Sequence, residues 1–279
     1  MKSKYLVIAA VVLVVLAGGW YWWSMFGPSA KPTPTPQPQT AAVQPSAPVA
    51  PAPVAASMVV LRQDPKLGNY LADNNGRALY VFAKDVGGQS VCSGKCLEAW
   101  PAFYLPTVSI GPGLDAPDFQ TITRPDGAQQ TTYYGWPIYY FSGDSAAGDV
   151  KGEGVNKLWF VAKPDYTVLF ANKDNVNYLV DAETGFTLYR FSKDTADVSD
   201  CSGVCAQNWP TFYVEKIVAP SFIDAAKISN FVRPDTTSQT AFDHQPLYHF
   251  VQDKVAGDLK GQGFNGVWST VDPFAVPAP

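Results

Sequence analysis

The sequence predicts an all-β protein: two homologous small β-sandwich or barrel-like domains after an N-terminal transmembrane helix and a Pro-rich linker. Three observations predict it. Aromatic residues make up 14% of the 279 residues, beside 22 Gly and 24 Pro, a composition of strands and turns rather than helices. Beyond residue 57 the apolar segments are short and bounded by turn residues, the pattern of short strands. The second half of the chain repeats the first at an offset of 109 residues, so one fold is built twice.

The elements follow in chain order. Residues 1–4, "MKSK", form a short basic region. Residues 5–26 carry no charge. As a helix they span ~33 Å, enough for a ~30 Å hydrocarbon core. Trp20, Tyr21, Trp22 and Trp23 stand at its end, where an interfacial aromatic belt belongs. Lys2 and Lys4 place the N-terminus in the cytoplasm and the rest of the chain outside it, in the periplasm or beyond the cell. The competing expectation is a signal peptide cleaved after Val15-Leu16-Ala17. Residues 27–57 contain nine Pro and one charged residue and predict an extended, semi-rigid tether.

The two repeats are expected at residues 58–164 and 165–279. "LYVFAKD" (79–85) returns as "LYRFSKD" (188–194), "CSGKCLEAWP" (92–101) as "CSGVCAQNWP" (201–210), and "RPDGAQQT" (124–131) as "RPDTTSQT" (233–240). "PIYYFSGDSAAGDVKGEG" (137–154) returns as "PLYHFVQDKVAGDLKGQG" (246–263), and Trp159 as Trp268. Earlier the offset differs by one residue, so that Tyr70 matches Tyr178. "NYLADNNGRALYVF" reads as strand, turn, strand, and "QQTTYYGWPIYYF" as two strands around Gly135-Trp136-Pro137. "KLWFVA" adds another, giving six or seven strands per unit.

A shorter motif, Tyr-x-Phe-x-x-Asp, occurs four times: Tyr80, Phe82, Asp85; Tyr139, Phe141, Asp144; Tyr189, Phe191, Asp194; and Tyr248, Phe250, Asp253. Tyr and Phe two apart share one face of a strand. The Asp is expected to end the strand as an Asx-turn cap. The motif therefore reads as core aromatics plus a cap.

These four copies, the two "CSG-x-C…WP" stretches and the two "AGD-x-KG-x-G" loops resemble the bacterial secreted-repeat lipoprotein family, defined by a Tyr-x-aromatic-x-x-Asp motif and of unknown function. The resemblance covers about residues 67–270. It implies an extracytoplasmic, envelope-associated protein and supplies no catalytic residues. Gly19 stands where a lipoprotein would carry its lipid-bearing Cys, so a membrane helix takes the place of the lipid anchor.

All four cysteines lie in the repeated stretch. Cys92 and Cys96, like Cys201 and Cys205, are four apart, and Ser93 is positioned to N-cap a short helix ended by Pro101. That geometry brings each pair within disulfide range, and outside the cytoplasm such pairs are oxidised. Redox-active thiols and a shared metal site are the alternatives. His244 and His249, the two histidines, have Gly135 and Tyr140 as counterparts and form a candidate metal pair, against two unrelated surface histidines. Asp144, Asp149 and Glu153, with Asp253 and Asp258, lie in Gly-rich loops without EF-hand spacing and read as turn caps. Residues 261–266 match G-x-G-x-x-G but lead into a strand, so dinucleotide binding is not expected. Arg124 and Arg233 open Arg-Pro-Asp turns and are expected to pair with Asp126 and Asp235.

No nucleophile–base motif, zinc-protease motif or P-loop is present. The net charge of −4, with no basic aromatic stretch, argues against nucleic acid. The expectation is a non-enzymatic, cofactor-free binding or scaffolding module anchored in the cytoplasmic membrane, an accessory subunit of an integral membrane complex whose partners are other envelope proteins. The alternatives are an electron-transfer or metal-handling envelope protein, and a glycan-binding protein using exposed aromatics such as Trp136.

Overall fold

The computed structural model describes residues 58–107 and 109–275. The expected basic region, membrane helix and tether lie outside these residues. Among the described residues no helix is long and apolar enough to cross a membrane.

The fold is all-β. The first half contains β1 (Val59–Asp64), β2 (Gly68–Asp73), β3 (Tyr80–Phe82), helix α1 (Lys95–Ala99), β4 (Phe119–Thr123), β5 (Gln129–Tyr133), β6 (Trp136–Tyr139) and β7 (Trp159–Val161). The second half repeats the order with β8 (Val168–Lys173), β9 (Val176–Asp181), β10 (Tyr189–Phe191), α2 (Val204–Asn208), β11 (Ile228–Val232), β12 (Ser238–Phe242), β13 (Gln245–Pro246) and β14 (Trp268–Thr270). Strands β4-β5-β6-β3-β7 form an antiparallel five-stranded sheet. In the second half β11-β12-β13 and β10-β14 hold the same places, joined by a bridge between Tyr189 and Tyr248. The hairpins β1-β2 and β8-β9 form separate two-stranded sheets. No sheet closes into a barrel among the described residues.

Local chemistry sets the turns. Asp64 closes β1-β2 by accepting the N–H groups of Lys66 (2.7 Å) and Leu67 (2.9 Å), as turn aspartates do. The β5-β6 turn is Tyr134-Gly135, both at positive φ (47° and 77°), rather than the expected Gly135-Trp136-Pro137. Trp136 and Pro137 belong to β6, with Tyr133 opposite Trp136 and Thr132 opposite Pro137. A two-residue hairpin makes that second pair a non-hydrogen-bonded one, and β6 meets β3 only from Ile138 on. The missing N–H of Pro137 therefore costs no ladder bond.

The two repeats share one apolar core. Val81 and Phe160, on β3 and β7, join Leu169 and Phe170 of β8 in a single buried cluster. Phe222 bridges the halves, 6.0 Å from Phe160 and 5.8 Å from Phe170 between ring centroids. Each half also has its own aromatic cluster, around Tyr80 and Tyr139 in one and Tyr189 and Tyr248 in the other.

Candidate functional site

The four Tyr-x-Phe-x-x-Asp motifs interlock in pairs. Pairing of β3 with β6 sets Tyr80 opposite Tyr139, and all four motif tyrosines are fully buried. The Tyr80 hydroxyl donates to Asp144 (2.7 Å) and Tyr139 donates to Asp85 (2.5 Å). Each tyrosine is thus bonded to the aspartate of the other motif. Tyr189 and Asp253 (2.8 Å), with Tyr248 and Asp194 (2.7 Å), repeat the exchange. The second oxygen of each carboxylate accepts a loop N–H: Val91 for Asp85, Lys151 for Asp144, Asp200 for Asp194 and Lys260 for Asp253. These donors lie six or seven residues downstream, so the motif aspartates are not the expected Asx-turn caps. They tie a distant loop to the partner strand. Burial pushes Asp85 up to about 7, against the hydrogen bonds from Tyr139 and Val91 and the charge of Arg124. Burial also raises Asp144, Asp194 and Asp253.

A buried arginine completes each unit. Arg124 donates to Ser90 Oγ (2.5 Å), Gln130 Oε1 (2.6 Å) and the Cys92 carbonyl (2.6 Å). Ser90 Oγ lies 2.7 Å from the Tyr139 hydroxyl. Because Arg124 can only donate and Tyr139 donates to Asp85, the serine proton points at Tyr139. The result is a directed chain of hydrogen bonds, Arg124 to Ser90 to Tyr139 to Asp85. Arg233 builds the same chain with Ser199 (2.5 Å), Gln239 (2.6 Å), the Cys201 carbonyl (2.7 Å), Tyr248 and Asp194. The expected pairings with Asp126 (3.3 Å) and Asp235 (3.4 Å) exist, at the exposed edge of guanidinium groups whose main partners are buried.

The cysteines close locally, Cys92 to Cys96 and Cys201 to Cys205, with Cα separations of 5.4 and 5.2 Å. The helix N-cap is Gly94 (φ 54°) or Gly203 (φ 57°), not Ser93. Ser93 contributes its carbonyl, which accepts from Cys96 N at 3.0 Å, because a backbone at that positive φ turns the chain one residue later than a serine cap would. Each disulfide loop delivers a Trp to a stack of four rings. Phe82 lies on Trp159 (4.2 Å, 12°), Trp159 on Trp100 (3.8 Å, 1°) and Trp100 on Phe141 (4.3 Å, 28°). In the second half Phe191, Trp268, Trp209 and Phe250 stack at 4.4, 3.7 and 4.1 Å. Gly152 and Gly261, in the "KG-x-G" loops, press against these stacks. A Cβ on Gly152 would stand 2.7 Å from Tyr80 Cε1 and 2.9 Å from Trp100 Cη2.

Where the repeats meet there is a pocket of about 230 Å³. Its aromatic walls are Tyr133, Tyr134, Trp136, Phe160 and Tyr166, and Glu183 stands at its rim. Tyr134 is 44% exposed and occupies a left-handed turn position, which a type I′ hairpin ordinarily gives to Asn, Asp or Gly. Trp136 is buried and so is not the exposed platform expected for glycans: its strand is flanked by β5 and β3.

The family model for a secreted repeat of unknown function matches four times, at residues 62–103, 120–163, 179–212 and 229–272. The chain belongs to this secreted-repeat family. No curated protein and no solved structure matches it. The repeats are therefore secreted, in the periplasm or outside the cell. Each match to the secreted-repeat model holds one Tyr-x-Phe-x-x-Asp motif, so the tyrosine–aspartate exchange joins the first match to the second and the third to the fourth.

The remaining candidate residues are placed as follows. His244 Nδ1 lies 2.7 Å from Asp197 Oδ2, and His249 Nε2 lies 3.6 Å from Asp181 Oδ2. Each histidine thus faces its own carboxylate. Burial lowers the pKa of His249, opposed by Asp181. Its counterpart Tyr140 donates to Asp73 (2.9 Å) under the guanidinium of Arg77. Among the described residues no group of three or more His, Cys, Asp or Glu is placed to hold a metal ion. Asp149 caps Ser145 and Ala146 and pairs with Lys151 (2.7 Å), and Asp258 does the same with Lys254, Val255 and Lys260. Glu153 accepts from Val161 N (2.7 Å) and from Ser221 Oγ (2.7 Å) of the other half. Residues 261–266 lead into β14. Sequence reasoning missed Ser90, Ser199, Gln130 and Gln239. The signal was present, since both the serine two residues before the first Cys and the glutamine six residues after the Arg are retained in the two repeats.

Proposed function

We propose that this chain is a non-enzymatic, extracytoplasmic binding module whose ligand enters the pocket at the junction of its two repeats. One observation carries the reading: Tyr134 holds a half-exposed ring over the pocket from a backbone position at φ 47°. A left-handed residue with a Cβ costs about 1–2 kcal/mol, and the turn itself has no need of an aromatic ring. The motif residues offer little to catalysis, because the buried tyrosines and aspartates direct their hydrogen bonds at one another. Held to the cytoplasmic membrane by residues 5–26 and spaced from it by the Pro-rich segment, the module would serve as an accessory subunit of a membrane complex.

A ligand-observed NMR screen of the full chain tests the binding reading, with small cations, anions, sugars and neutral aromatics as separate classes. Hits that compete with one another and are lost in Tyr134→Ala support it. An empty screen, or hits indifferent to that change, removes it.

A further inference from the structure

We propose that the junction pocket takes an organic cation the size of a quaternary ammonium group, held between aromatic faces and the carboxylate of Glu183. The inference rests on the binding reading above and names its ligand class.

The ring surface open to a guest comes from Tyr134, 44% exposed, and the half-buried Tyr166, and the negative quadrupole of such faces attracts cations. Tyr133 and Tyr134 meet edge to face at 4.7 Å, and Trp136, Phe160 and Tyr166 line the same space. The volume of about 230 Å³ gives room for a compact organic cation. The lining is apolar or aromatic except for Lys163 and Glu183, the mix of side chains that small-molecule sites use.

Charge decides between a cation and a neutral guest. The Tyr134 hydroxyl is raised by burial and then by the charges of Asp118, Asp115 and Glu183. Tyr133 is raised by burial and then, besides its tyrosine neighbour, by Asp118, Asp115 and Asp165. Four carboxylates thus act on these two rings. The one cation in the lining, Lys163, already has partners. Its ammonium donates to the Leu67 carbonyl (2.5 Å), pairs with Asp165 (3.5 Å) and stands 5.2 Å over the ring of Tyr166. An aromatic wall of this pocket thus carries a cation in the folded chain itself. With Lys163 so engaged, the lining charge left to face a guest is the carboxylate of Glu183, which repels an anion and gives a neutral guest nothing beyond its contact with the rings.

The second repeat does not reproduce the site. Tyr134, Trp136, Phe160 and Tyr166 have Asp243, Gln245, Ser269 and Ala275 as counterparts, so one cation per chain is expected.

The test titrates the full chain with choline and with its neutral isostere 3,3-dimethyl-1-butanol, by calorimetry and by tryptophan fluorescence. Choline is expected to bind at least about tenfold more tightly than the isostere, at a stoichiometry of one. Glu183→Gln is expected to weaken choline severalfold and leave the isostere unchanged, and Tyr134→Ala to weaken both. Both side chains are exposed, and unchanged melting temperatures will show that the variants fold. Equal affinity for the two guests overturns the cation assignment and leaves the binding reading standing. So does the absence of choline binding when another class in the screen binds in a Tyr134-dependent way. If no class binds, both readings fall together.

Discussion

Replacing Arg124 by Met removes the donor end of the Arg124–Ser90–Tyr139–Asp85 chain while keeping most of the side-chain volume. The Arg124 side chain is 2% exposed, so water cannot substitute for it. Three buried acceptors lose their donor: Ser90 Oγ, Gln130 Oε1 and the Cys92 carbonyl. An unsatisfied buried group costs about 1–3 kcal/mol. Ser90 and Gln130 can turn toward other partners, whereas the carbonyl is fixed, so the low end of the range applies to the first two. The total is about 3–5 kcal/mol. At roughly 2–4 °C per kcal/mol for a body of ~200 residues, the melting temperature falls by about 10 °C. Urea unfolding followed by tryptophan fluorescence, with thermal melts beside it, measures this directly. Arg233→Met is expected to match it, since its three acceptors are the same. Arg124→Lys, with one compact ammonium for three separated acceptors, should recover less than half of the loss. Adding Asp85→Asn to Arg124→Met should cost less than the sum of the single changes, because the two residues end one network. A loss below about 1 kcal/mol in both arginine variants would refute the claim that these chains stabilise each repeat.

Three further outcomes are expected. Asp85 is held at about 7 in the folded state against 3.8 for a free carboxyl. Its contribution to stability is therefore present in full below pH 3.8 and is lost as the pH rises through 7. Melting temperatures should fall between pH 5 and pH 8, and Asp85→Asn should flatten that slope. Gly152→Ala and Gly261→Ala drive a Cβ to 2.7 Å from a tyrosine ring carbon and should each destabilise by about 1–3 kcal/mol, read from chemical denaturation. Replacing Cys92 and Cys96 together by Ser should cost about 2 kcal/mol, the chain-entropy value for so short a loop, and leave the near-ultraviolet dichroism of the Trp stacks in place.

Much of this was legible in the sequence because it is said twice. The internal repeat, the buried tyrosines and the local disulfides all follow from residues that return at one spacing, and the all-β class from composition and the short apolar segments. What was hidden is relational. Tyr80 and Asp144 lie 64 residues apart, and nothing in one motif announces that its carboxylate serves the tyrosine of another. Arg124 sits in a polar Arg-Pro-Asp turn, so its burial depends on Ser90 and Gln130 arriving from elsewhere in the chain. Trp136 reads as part of a turn because Gly135 precedes it and Pro137 follows. In fact β3 and β5 flank its strand, and a Pro is tolerated there by register. The junction pocket is harder still, because comparison of the halves selects what they share, and the pocket is lined by residues in which they differ.

That difference has a structural cause. In the first repeat the outward face of β3 and β7 carries Val81 and Phe160, both buried in the shared core with Leu169 and Phe170 of β8. The same positions in the second repeat are Arg190 and Ser269, whose side chains hydrogen-bond to each other at 3.1 Å on an exposed face. The hairpins differ in the complementary sense. The first five residues of β8 are buried, whereas β1 is buried only at Val59. One end of each repeat is thus built to receive a neighbour and the other to be received, and among the described residues the two faces that meet are the apolar ones. Arg190 and Ser269 end the stack as a polar cap does in other repeat proteins. A pocket of this kind exists once per junction rather than once per repeat. Two copies of one fold therefore make one junction pocket, and the residues that line it are free to diverge from the pattern on which the scaffold depends.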